Sequence, residues 1–207
     1  MTAELEVVEL ECIRENRHLF SKLNFSLHSG QLQHLVGANG SGKTSLLRIL
    51  SGLSLPESGK ILWRGLRVEG AWESYYQNLT YIGHANGIKA ELTPFENIQI
   101  YSLLGSGETS KNIESALDQA GLGAFRDQPC RTLSMGQCRR VALARLFLSQ
   151  ARLWLLDEPV TGIDESGVKE FEQLFERHID NGGIILLTSH RLLCKNVTKF
   201  PTIQIGR

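Results

Sequence analysis

The sequence lacks long apolar runs, a net charge and any close pair of cysteines, and each absence removes a class of protein. No unbroken stretch of aliphatic, aromatic or cysteine residues exceeds four, the longest being 141–144, 153–156 and 184–187. A membrane-spanning helix needs about 18 apolar residues in succession, so none is expected. The 22 Lys and Arg balance the 22 Asp and Glu. There is therefore no basic field to gather phosphate backbones and no acidic excess of the disordered kind, and no nucleic-acid partner is expected. Cys12, Cys130, Cys138 and Cys194 form no CxxC pair, which argues for reduced thiols and against a zinc site or a disulfide framework. The first ten residues have neither a basic n-region nor an apolar h-region, so no export signal and a cytosolic location are expected. No internal repeat, low-complexity tract or long linker interrupts the 207 residues. What remains is an apolar content of 42%, enough for a core, on a chain long enough for one domain with at most a subdomain attached.

The hydrophobic period changes along the chain. From Glu4 to Leu35 it is strand-like, with Leu23, Phe25 and Leu27 alternating with polar residues before Gly30. Turn signals at Pro56 and Ser58-Gly59 precede a short strand at Ile61–Trp63. From about 93 to 150 the period is helical. Thr93 and Glu96 make a capping box around Pro94, and Ile113, Ala116, Leu117 and Ala120 share one helical face before Gly121. The buried-strand runs at 153–156 and 184–187 then flank a helical stretch from Val168 to Arg177, the βαβ pattern of a parallel sheet. The expectation is an α/β chain, 1–207, with N-terminal antiparallel strands, a parallel core sheet and a helical subdomain inserted at about 93–150.

Three motifs carry chemistry. Gly37, Ala38, Asn39, Gly40, Ser41, Gly42, Lys43 and Thr44 match GxxxxGK[ST], with an apolar strand end before them and a helix from Ser45 after them. This is a P-loop. Its glycines let backbone N–H groups face a phosphate at a helix N-terminus, Lys43 reaches the β and γ phosphates, and the Thr44 hydroxyl ligates Mg²⁺. The apolar run 153–156 ends in Asp157 and Glu158; Asp157 is expected to hold Mg²⁺ through water, and Glu158 to act as general base on the attacking water. Leu133, Ser134, Met135, Gly136 and Gln137 open another helical run, where Ser134 and the Gly136 N–H make an anion site at a helix N-terminus. One phosphate site already exists at Lys43, so a second one facing outward implies service to another protomer.

LSxGQ in this order, between a P-loop and an apolar strand ending in Asp-Glu, resembles the signature of the ATP-binding cassette (ABC) ATPases. Thr161–Asp164 resembles their D-loop, which crosses the dimer interface through Asp164, and His190, after the last buried strand, resembles the switch histidine that contacts the γ phosphate. The resemblance covers essentially the whole chain, and with 17 residues after His190 no regulatory domain is expected there. It implies ATP and Mg²⁺ as cofactors and a head-to-tail homodimer. In it Gly37–Thr44, Asp157, Glu158 and His190 of one protomer face Ser134–Gln137 of the other. Residues 74–79 (SYYQNL), 81–97, 12–21 and 181–190 further resemble the ATP-binding subunits of the haem exporters of bacterial cytochrome c maturation. That implies a peripheral ATPase on the cytoplasmic face of the inner membrane, docked on an integral membrane subunit of the CcmB type. The alternatives are the ATPase of another ABC exporter, or a soluble ABC ATPase acting on nucleic acid.

Two positions depart from the general ABC pattern. His84 stands where most members carry a glutamine between the sheet and the helical subdomain, and is expected to transmit nucleotide state to a membrane partner, with Lys89 and Glu91 as the next candidates. Arg14 stands where an aromatic residue usually stacks on adenine, about 23 residues before the P-loop. A guanidinium plane can stack on a base; Arg17 is its rival, and a solvated Arg14 is the other reading.

Overall fold

The computed structural model describes residues 3–104, 109–194 and 202–206. Residues 105–108 of the expected helical stretch lie outside the described residues. In chain order the elements are β1 (Leu5–Arg14), β2 (Arg17–Leu27), β3 (Gln31–Val36), α1 (Lys43–Leu50), β4 (Ser58–Trp63), β5 (Leu66–Arg67), α2 (Trp72–Gln77), β6 (Leu79–Ile82), α3 (Pro94–Leu104), α4 (Ser110–Gln119), α5 (Met135–Ala144), β7 (Leu153–Asp157), α6 (Glu165–Asp180), β8 (Ile184–Thr188) and β9 (Ile203–Gln204). The chain divides into two units, one made of Met1–Tyr81, Ala151–Glu158 and Glu176–Arg207, the other of Ile82–Gln150 and Pro159–Phe175.

The first unit holds two sheets, one in the order β2-β1-β4-β5 and one in the order β6-β7-β8-β3-β9. The β1–β2, β1–β4 and β4–β5 pairs are antiparallel, and β7–β8, β8–β3 and β3–β9 are parallel. The fold is α/β. Every residue of β7 and of β8 is buried, as expected of parallel strands covered on both faces, which is why these strands read as unbroken apolar runs and not as alternation. Leu153, Leu155, Ile184 and Leu186, two apart along their strands, join Leu35, the α1 residues Leu46, Leu47 and Leu50, and Leu5, Val7, Leu10 and Trp63 of the antiparallel sheet in one core. Each such burial contributes about 1.5–3 kcal/mol. That exceeds the few tenths at stake in helix propensity, so packing decides where α1 lies.

In the second unit α3 starts at the expected capping box: the Glu96 N–H donates to Thr93 Oγ1 at 3.2 Å and the Thr93 N–H donates to Glu96 Oε2 at 2.8 Å. Ile113, Ala116 and Leu117 are the buried face of α4, and Ala120 follows them into the core before Gly121, whose φ of 69° ends the helix. Two differences from the sequence expectation have clear causes. The helix expected from Val168 to Arg177 runs from Glu165 to Asp180, because Asp164 caps its start with a side-chain bond to the Gly167 N–H. The six-residue α2 has no side-chain cap and two adjacent tyrosines; it is held by tertiary contacts, with Tyr75 Oη donating to the Leu50 carbonyl at 2.7 Å and its ring edge-on to Trp63.

Candidate functional site

In the first unit β3 delivers the chain into the loop 37–42, and α1 begins at Lys43. Gly42 precedes the helix with φ 104° and offers no side-chain cap, so the first N–H groups of α1 have no side chain to satisfy them. A Cβ at Gly37 would run into the Ile205 carbonyl and the Ser41 hydroxyl, and one at Gly42 would meet Leu19 and the Phe20 ring at 3.0–3.3 Å. Only glycine leaves this hollow open. Within it Lys43 Nζ donates to the carbonyls of Gly37 (2.8 Å) and Ala38 (3.1 Å). Ser41 Oγ is buried with no hydrogen-bond partner among the described residues. A concave loop of donors, an ammonium and an unsatisfied hydroxyl suit a polyanion such as a nucleoside triphosphate.

Beside the loop, Thr44 Oγ1 donates to Asp157 Oδ2 at 2.8 Å. Asp157 is the last residue of β7 and lies opposite Thr188 in the parallel register with β8. Thr188 Oγ1 donates to Asp157 Oδ1 at 2.7 Å and accepts the Glu158 N–H at 2.9 Å. Glu158 has left the strand with φ 49°, and its Oε1 is 3.5 Å from Nε2 of His190, an exposed side chain. The hydroxyl and carboxylate oxygens of Thr44 and Asp157 are hard donors, the kind Mg²⁺ takes alongside substrate phosphates.

The second unit carries the other motif. Ser134 is the N-cap of α5 and forms a complete capping box, accepting the Gln137 N–H on its hydroxyl (3.2 Å) and donating its own N–H to Gln137 Oε1 (2.8 Å). The Ser134 N–H is thus occupied, while its hydroxyl hydrogen and the N–H groups of Met135 and Gly136, at the first two helical positions, can serve an anion. A Cβ at Gly136 would strike the Gly162 carbonyl, so the segment through Gly162 and Ile163 lies directly against the start of α5. Arg140 binds Asp164 and reaches Glu170 at 3.7 Å. Hydrogen bonds from Ser166 and Arg140 hold the Asp164 carboxyl below its ordinary range. A cavity of about 360 Å³ is lined by Ser134, Gly136, Gln137, Arg140, Gly162 and Asp164, among others.

The ABC transporter family pattern matches residues 20–161. The chain is 50% identical over 201 residues, 97% of its length and 96% of the relative's, to the Cytochrome c biogenesis ATP-binding export protein CcmA of Escherichia coli (strain K12). It is 47% identical over 203 residues, 98% and 99% of the two chains, to the protein of the same name from Vibrio vulnificus (strain YJ016). The chain belongs to the ABC transporter family, in its CcmA branch. Among solved structures, the dimeric post-hydrolysis ATP-binding cassette MJ0796, bound to ADP and Pi, superposes with a TM-score of 0.83 at 19% identity over 98% of this chain and 97% of that one. At that identity the likeness is one of fold.

For this CcmA-branch ATP-binding protein, the first unit gathers Gly37–Ser45, Asp157, Glu158 and His190, and the second gathers Leu133–Gln137 and Asp164. Arg14 ends β1 at a turn through Glu15 and Asn16, both at positive φ. Its guanidinium donates to the carbonyls of Leu55 (3.3 Å) and Ile13 (3.2 Å), and Arg17 is exposed at the start of β2. His84 is exposed just past β6 in the second unit, and the backbone carbonyls of Gly83 and His84 accept from Arg139 (2.8 and 3.5 Å). Sequence reasoning missed Thr188 and Arg139. Thr188 left a signal, a hydroxyl where an aliphatic residue would continue the run 184–187. Arg139 left none, since it stands beside a second arginine, Arg140, on the same helix and is nevertheless 4% exposed.

Proposed function

We propose that this chain is the ATP-hydrolysing subunit of a membrane export system serving cytochrome c biogenesis, with haem export as the process it drives. The reading takes residues 1–207 as one ATP-binding domain with a helical subdomain at about 93–150. The observation that carries it is the bonded series Thr44–Asp157–Thr188–Glu158 beside a glycine loop with an inward lysine. On this reading Gly37–Ser45 bind the triphosphate and Arg14 contacts adenine. Thr44 and Asp157 hold Mg²⁺, which when bound offsets charge on the phosphate oxygens. Glu158 takes the proton of the attacking water, and His190 steadies Glu158 and the γ phosphate. Ser134 and Gly136 contribute donors to the nucleotide of a second copy, and Asp164 lies at that junction, so ATP joins a head-to-tail pair and hydrolysis releases it. A dimeric, ADP- and Pi-bound cassette of the same fold supports the pairing.

Among the described residues no helix is long and apolar enough to cross a membrane. The export named for the relatives therefore calls for an integral membrane partner, here one of the CcmB type on the cytoplasmic face of the inner membrane, with His84 in the coupling segment. The test combines two variants. Ser134→Arg is expected to abolish hydrolysis while one copy still binds ATP, and Lys43→Ala to lose both. A crosslinked pair made from one of each keeps one intact composite site and is expected to hydrolyse ATP; an inactive pair rejects the trans assignment. Co-purification from membranes identifies the partner, and a subunit outside cytochrome c biogenesis would overturn the specific process while leaving the ATPase.

A further inference from the structure

We propose that Thr188 is a positioning residue for ATP hydrolysis, setting both adjacent carboxylates of the site through one hydroxyl. The inference rests on the reading of Asp157 and Glu158 given above. Thr188 closes β8 after four aliphatic residues and is 0% exposed. A buried hydroxyl costs free energy unless it is bonded, so a strand interior favours an aliphatic side chain at such a position. Here the hydroxyl is used in both directions, donating to Asp157 Oδ1 at 2.7 Å and accepting the Glu158 N–H at 2.9 Å.

Each bond does separate work. Asp157 Oδ2 already accepts from Thr44, so the bond to Oδ1 fixes the carboxylate about its last torsion. If the Thr44 hydroxyl turns toward a metal ion, Thr188 remains to keep Asp157 oriented. The charge on Asp157 in turn polarises the Thr188 O–H and makes its oxygen a better acceptor. That acceptor holds the N–H of Glu158 in a backbone conformation, φ 49°, that a residue with a Cβ adopts only at a cost. Glu158 is thereby turned out of the strand toward His190. The order of residues at the end of β7 makes the two acids adjacent; a hydroxyl from the neighbouring strand makes them point differently.

The test uses Thr188→Val, close in shape but without the hydroxyl, Thr188→Ala in parallel, and Thr188→Ser, which restores it. Loss of the hydroxyl is expected to lower kcat by about 10–100-fold, as for other residues that orient a catalytic group, with ATP affinity unchanged. It is also expected to speed hydrogen exchange of the Glu158 amide in the nucleotide-free protein, and Thr188→Ser is expected to recover both. Parental kcat and parental amide protection in folded Thr188→Val or Thr188→Ala would overturn the proposal, as would failure of Thr188→Ser to recover either. The exchange measurement needs no turnover, so a parent protein without ATPase activity would reject the reading of the site while the amide still decides the role of Thr188.

Discussion

The motifs of the two units, around Lys43 and Asp157 in one and around Ser134 and Asp164 in the other, treat charge differently. In the first, the Asp157 carboxylate is held by two hydroxyls, the Glu158 backbone N–H by one of them, and the cation Lys43 by loop carbonyls. These are neutral partners. They fix direction without cancelling charge, so the field of these groups stays available to a charged ligand. In the second unit the charges meet one another: Arg140 binds Asp164 and approaches Glu170, while what Ser134 and Gly136 can offer an anion is uncharged. On the function proposed above, the region that performs chemistry has to keep its charges available to the reacting groups, whereas one that recognises a neighbour's phosphate does well with rigid dipoles at a helix start. Arg139 belongs to the same logic of rigidity, since it gathers the carbonyls of Gly83 and Pro159 and the side chain of Asn86 around one buried guanidinium.

The sharpest way to break this comparison is to neutralise one acid of the first unit. Glu158→Gln keeps the shape and the hydrogen bonds but cannot take a proton, so turnover is expected to fall about 10²–10⁴-fold with ATP binding retained. Phosphate release and nucleotide binding measured side by side check it, and near-parental release would place the base elsewhere. In the second unit the expected loss is of stability. Arg139→Lys keeps a charge but not the fork that serves several acceptors, and Arg139→Met leaves those carbonyls unpaired. A loss of roughly 2–4 kcal/mol is expected for Arg139→Met and less for Arg139→Lys, read by urea denaturation; equal stability of both with the parent would mean the fork carries no weight.

A third prediction concerns a half-buried base in the first unit that no catalytic role uses. His178 stacks on Trp154 at 3.7 Å, and its Nε2 lies 3.1 Å from the Arg152 carbonyl. Burial pulls its pKa from 6.5 down to about 4, the backbone bonds resisting only in part. Between those values the unfolded chain binds a proton that the folded one refuses, so stability is full above about pH 6.5 and falls as pH drops toward 4. The loss from this group is on the order of 2–3 kcal/mol. His178→Phe keeps a ring against Trp154 and is expected to flatten that part of the stability profile; an unchanged profile would assign the acid sensitivity to other groups. The smallest expected effect belongs to His84. His84→Ala is expected to lower cytochrome c maturation in cells and stimulation by the membrane partner while basal ATPase stays near parental, and His84→Gln to be tolerated. Full maturation with His84→Ala would make it a solvent-facing turn residue and move attention to Lys89 and Glu91.

Features written in contiguous residues are legible from the amino-acid order alone. The glycine loop, the acids at the end of an apolar run, the Thr93 and Ser134 caps and the change of period near residue 93 each depend on neighbours within a few positions. Hydrogen-bonding and helical or strand geometry act over that range, so the order of motifs by itself determined the fold class and the two halves of the candidate site. What it could not contain was the pairing of residues far apart. Thr188 meets Asp157 across 31 positions, and Arg139 meets Gly83 across 56. Helix α2 forms because Tyr75 finds the Leu50 carbonyl 25 positions away. Such contacts arise only when strand register and core packing bring the segments together, and whether a buried hydroxyl or guanidinium is a cost or an anchor depends on the partner found there. The sequence by itself therefore determined which residues are the candidates for the chemistry, and the tertiary structure alone decided which way Asp157 and Glu158 face.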